Sequence, residues 1–216
     1  MANQLDQVLS YFNPIFVENA SQRLNEEPLA VVRCINGMSA SILTGVIGQS
    51  EDPKTMQAIY ELLQQETPDS LPDLTTLLHG GNLAKHDPRD QAGHLFGIVF
   101  GDKMPAVMNA MSSFAETKPS TTGALLGVVG AVVVRVLGKQ IQREQLSVSG
   151  FFNLLHIEDE KIRGLLPPGV ATLIGATTTT DRSLPPESSA VGLNWVRSFV
   201  LLLALVAALL AAAKWL

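Results

Sequence analysis

The 216-residue sequence is 46% apolar, 16% charged and 6% aromatic, and its formal net charge is −5. This composition is typical of a compact domain with an Ala-, Val- and Leu-rich core, and it excludes a wholly disordered chain. The negative charge and the lack of any Lys/Arg run argue against a nucleic-acid partner. The single cysteine, Cys34, excludes an intramolecular disulfide, and we expect it to be a small buried apolar residue.

The first 65 residues carry clear helix signals. The start has no basic region followed by a continuous apolar stretch, so we expect no cleaved signal peptide. Apolar residues then recur at helical spacing over the first 27 residues, with a break at Asn13-Pro14. A further helix is predicted to begin at Asp52-Pro53, where Asp is a capping residue and Pro suits the first turn.

Two long apolar segments contain small residues at helical spacing. The first is predicted to be a helix from Leu29 to about Gly48, and the second a helix from Ser120 to Gly138. We expect the second to be a core helix and not a membrane span, because Arg135 interrupts its apolar run. The small residues are predicted to form a seam in which each helix packs closely on the other, so that Gly127→Leu would overpack it. They are Gly37, Ser41 and Gly45 in the first helix, and Gly123, Gly127 and Gly130 in the second.

The order of signals in the first half of the chain recurs in the second half. Glu27-Pro28 matches Lys118-Pro119, and LPDLTTLLH matches PPGVATLIG, at offsets of about 90 to 96 residues. A helix is also predicted over Met104 to Glu116, and another is capped by Ser147 or Ser149. The sequence therefore predicts an all-α fold, a duplicated multi-helix domain over 1–175 with pseudo-twofold repeats at about 14–80 and 102–175.

The C-terminal part of the chain has a different composition. Residues 176–194 are rich in Thr, Ser and Pro, and we predict a disordered linker. Residues 195–216 are predicted to form one transmembrane helix, because two tryptophans about 30 Å apart along a helix flank an apolar run. The expected interface anchors are Trp195, Arg197, Lys214 and Trp215. We expect a single-pass membrane protein with its main domain facing the cytoplasm.

No catalytic constellation stands out in the sequence. His79, His86 and His94 are seven and eight residues apart in a polar, Gly-containing segment, which does not match the spacing of zinc ligands. We interpret them as histidines of a surface loop. His156 has no nucleophile motif near it. We therefore predict no catalytic residue, no metal site, no cofactor and no enzymatic activity.

Four runs between about 95 and 175 carry a resemblance to a known family: GIVFGDKMPAVMNAMSSF, STTGALLGVVGAVVVRVLGKQ, SVSGFFNLL and LLPPGVATLIG. In these runs the chain resembles the bacterial domain of unknown function number 937, which is related to the YidB-like proteins. The resemblance is fainter over residues 14–79. The resemblance implies a bacterial, all-helical protein with no established catalytic residues. Some members place the domain ahead of a membrane segment and a peptidoglycan-binding domain, an arrangement from which this chain departs by stopping at Leu216.

Two hypotheses about function remain, with a hydrolase acting through Ser or His156 a distant third. The first is a membrane-tethered helical scaffold or protein-interaction module without catalytic activity. Its expected partners are the lipid bilayer, bound through the C-terminal helix, and an unknown protein or a second copy of the chain. The alternative is a module that binds an apolar ligand or lipid at the membrane surface.

Overall fold

The computed structural model describes residues 3–65, 73–78 and 87–175. Within these ranges all regular structure is helical, so the all-α prediction is confirmed there. The predicted linker at 176–194, the predicted transmembrane helix at 195–216 and its anchors Trp195, Arg197, Lys214 and Trp215 lie outside the described residues. The helices are α1 (Gln4–Leu9), α2 (Pro14–Leu24), α3 (Pro28–Gly48), α4 (Pro53–Gln64), α5 (Leu74–Leu78), α6 (Pro88–Phe100), α7 (Met104–Ala115), α8 (Pro119–Glu144), α9 (Val148–Ile157), α10 (Asp159–Arg163) and α11 (Pro168–Ile174).

Side-chain caps set the start of several helices. The Asn13 side chain accepts a hydrogen bond from the Phe16 N–H at 2.9 Å, which places the predicted break between α1 and α2 at this residue. Asp52 caps α4 in the same way. Ser147, and not Ser149, caps α9 by accepting from the Gly150 N–H at 3.2 Å. These caps satisfy N–H groups that have no partner inside the helix.

The two longest helices, α3 and α8, form the centre of the described structure. They contact each other, and each of the other nine helices packs against one or both of them. Both are long and apolar enough to cross a membrane, but 83% and 78% of their most apolar stretches are buried by the rest of the protein. Such burial is the property of core helices, as predicted for the second of them. Cys34 of α3 is fully buried as predicted, and burial raises the pKa of its thiol to about 11.

The glycines of α3 face helices other than α8. A Cβ atom placed on Gly37 would lie 3.0 Å from Pro167 Cγ and 3.1 Å from Met111 Sδ. One placed on Gly45 would lie 2.2 Å from Val99 Cγ1 of α6. Ser41, also buried, donates to the Gly37 carbonyl at 2.6 Å. These residues do allow close packing, but what approaches them is α6, α7 and the segment before α11.

The glycines of α8 differ in how closely other helices approach them. A Cβ on Gly130 would lie 2.2 Å from Phe96 Cζ, so α6 is tightly packed there. On Gly127 the nearest atom, Arg89 Cδ, would be at an ordinary 3.5 Å, and Gly123 is exposed. The expectation of a seam between two glycine-rich faces is therefore wrong, because α6 and α7 occupy those faces. A Cβ atom alone fits at Gly127, so the expected overpacking by Gly127→Leu stays a prediction.

The predicted end of the second long helix is also corrected. The helix continues past Gly138 to Glu144. A Cβ on Gly138 would lie 2.6 Å from the Leu63 carbonyl oxygen. The glycine therefore lets the last turn of α4 approach α8, and it does not end the helix.

The turn before α3 and the turn before α8 are joined by polar contacts. Glu26 accepts hydrogen bonds from the Lys118 N–H at 3.0 Å and from Thr121 Oγ1 at 2.8 Å. Lys118 Nζ donates to the Asn25 carbonyl at 2.9 Å. Glu26 thus supplies the acceptor at the start of α8 from a turn more than 90 residues earlier.

Gly130→Ala is expected to lower the free energy of unfolding by about 1–3 kcal/mol, because the added methyl group overlaps Phe96 and Ala92. Gly127→Ala is the matched control. It removes a helix-interior glycine at a position of the same helix where the added methyl group meets Arg89 only at ordinary contact distance, so we expect no loss and a gain of up to about 1 kcal/mol. Urea denaturation measures both, and equal effects of the two variants would contradict the packing described for α6 and α8.

Glu26→Ala is expected to lower the free energy of unfolding by about 1 kcal/mol at pH 7, because α8 loses its acceptor. The pKa of Glu26 lies below its ordinary value, chiefly because the Lys118 N–H donates to the carboxylate. This contribution is present above the pKa of the unfolded chain and is lost as the pH falls through the folded pKa. The difference in stability between the two proteins should therefore shrink as the pH falls below the ordinary Glu pKa of about 4.3, and a constant difference would count against the cap.

Candidate interaction groove

An open groove lies between α4 and α6 and has a volume of about 560 Å³. Most of its lining is small, apolar or uncharged. The lining residues are Ala58, Glu61, Leu62, Gln65, Gly93, His94, Gly97 and Ile98. A concave surface of this size on a helical domain is a binding-site candidate.

The helical period explains why these residues face the groove. In α4, Ile59, Leu62 and Leu63 are buried in the core, which leaves Ala58 and Glu61 exposed on the groove side. A side-chain bond fixes the two helices at one end, since Gln91 Nε2 of α6 donates to the Leu62 carbonyl at 2.7 Å. The buried faces of α4 and α6, together with this bond, therefore hold the two walls of the groove in place.

In α6 the same argument applies to the two glycines. Leu95, Phe96 and Val99 are buried, and Gly93 and Gly97 fall on the opposite, exposed face. A Cβ atom on either glycine would meet no atom of the described residues within 4 Å. Each glycine inside a helix costs about 1 kcal/mol relative to Ala. No contact among the described residues requires them, and they leave the α6 backbone bare on the groove side.

Glu61 is the one acidic side chain among the described residues that line the groove. Glu61 is exposed and accepts a hydrogen bond from Gln57 Nε2 at 2.7 Å. Asp90, also exposed, lies in the first turn of α6. Among the described lining residues there is no Lys or Arg. The neighbouring Arg89 is held by Asp87, whose pKa is lowered mainly by the hydrogen bonds from that guanidinium.

The position of His94 differs from the sequence-based prediction. We expected a polar loop, but His94 lies on helix α6 at the groove, and His79 and His86 lie outside the described residues. The signal for α6 was present in Asp87-Pro88, a cap followed by a proline at the first turn. The Gly93 and Gly97 pair, spaced four residues apart, was the sequence signal for the groove, and sequence analysis did not single it out.

The described residues offer little chemistry. Over these ranges no group of three or more His, Cys, Asp or Glu could hold a metal ion. His156 Nε2 lies 3.0 Å from Ser50 Oγ, which is a nucleophile–base distance. The imidazole is exposed, however, and no described carboxylate bonds to it to orient it. The pair therefore lacks the third group of a triad.

An apolar slot lies between α3, α7 and α8. Its walls include Met38, Met108, Met111 and Leu126, and its volume is about 10 Å³. That volume holds about one water molecule, far less than an acyl chain. Methionine walls repack easily, so the slot can widen only if these side chains move.

Comparison with known protein families gives a match. A family model described as "Bacterial protein of unknown function (DUF937)" matches residues 6–140. The match includes most of α1, all of α2 to α7 and most of α8, and thus both walls of the groove. It stops before α9, whereas the resemblance described above was strongest up to about residue 175. No curated protein and no solved structure matches the chain.

Gly97→Ala is expected to raise the free energy of unfolding by up to about 1 kcal/mol, because the methyl group meets no atom and the helix gains a better helix former. Thermal denaturation, followed by circular dichroism at 222 nm, provides the measurement. A clear loss of stability would show that the α6 backbone is covered at this position.

Proposed function

We propose that the chain, which belongs to the family of bacterial proteins of unknown function DUF937, is a membrane-tethered protein-interaction module without catalytic activity. The observation that carries the proposal is the open groove between α4 and α6. It offers shape, apolar surface and one carboxylate, which suit binding. The residues that line it include no nucleophile paired with a base.

An internal duplication forms part of the proposal, and the packing pattern supports it. Helix α5 packs on α2 and α8, and α11 packs on α7 and α3. Likewise α1 and α6 each pack on both long helices. When each of these helices is replaced by its counterpart in the other half of the chain, the pattern of helix–helix contacts stays largely the same. Asn25 and Glu116, the residues that end α2 and α7, both have left-handed backbone angles, with φ of 51° and 58°. Two copies of one helical unit account for these similarities.

The membrane tether of the proposal rests on sequence. The apolar segment 195–216 is flanked by Trp195 and Trp215, the pattern of a span with aromatic residues at both interfaces. A linker of 19 residues, 176–194, spans about 25 Å as a flexible coil. The helical domain would then search for partners close to the inner membrane, on its cytoplasmic side.

A lipid- or apolar-ligand-binding module is the second candidate. The observation that favours it is the methionine-lined slot beside Ser41. Its volume of about 10 Å³ places it second, because an acyl chain enters only after the slot widens. Native mass spectrometry of the full-length protein, extracted without added lipid, distinguishes the two: a stoichiometric bound lipid favours this candidate.

Fractionation tests the tether. Full-length protein is expected in the membrane pellet after alkaline extraction, since a span of apolar residues resists it. A chain ending at Gly175 should move to the soluble fraction. Full-length protein in the soluble fraction, or a truncated chain that stays in the pellet, would overturn the tether.

Cross-linking tests the interaction. Surface lysines of the full-length protein are cross-linked in native membranes, and the products are identified by mass spectrometry. An interaction module gives reproducible links to another protein. A chain that yields only links within itself, under conditions that capture a known membrane complex, would contradict the role.

A further inference from the structure

We draw no further inference here: the strongest candidate, the cluster of Cys34, Met38 and Met111 beside the methionine-lined slot between α3, α7 and α8, rests on a lone cysteine packed among core methionines, and no second observation in the described residues points to a ligand.

Discussion

The burial of α3 and α8 is the constraint on which the rest of the structure depends. These two helices carry apolar residues on nearly all sides, so neither can lie on a surface in water, and both must be covered all round. Within the described ranges, nine shorter α-helices provide the cover, each of them packed on α3, on α8 or on both. The groove follows from this arrangement, because α4 and α6 meet over α8 with their small residues turned outward.

Much of the fold could be predicted from local signals. The helix starts could be predicted because they depend on neighbouring residues in the chain. The signals were capping residues such as Asn13 and Asp52, prolines at first turns and the period of the apolar residues. Helix ends and packing partners could not be predicted in the same way. A glycine such as Gly138 is typical of a helix end. Its actual role is to let the Leu63 carbonyl, 75 residues away in the chain, approach α8 closely.

The candidate site was harder to predict from the sequence than the fold, because it depends still more on tertiary contacts. Gly130 and Gly97 both lie inside helices, and nothing local tells which one is pressed against Phe96 and which one is bare. Only the position of α6 separates a glycine needed for packing from one left open. The prediction about histidines failed differently at His94, where loop-like Gly and Asp residues hid a capped helix. The predicted absence of catalytic and metal-binding residues stays a prediction.

The bond from Glu26 to the start of α8 has a consequence for how the chain folds. During synthesis the first half leaves the ribosome with its Glu26 acceptor unused, and α8 emerges without an acceptor of its own at Lys118. Each half is thus incomplete until the other arrives. The contact spans 92 residues, so the start of α8 gains this acceptor only after both halves of the chain are in place. A partially made chain would expose the apolar faces of α3, which makes it a natural client of chaperones.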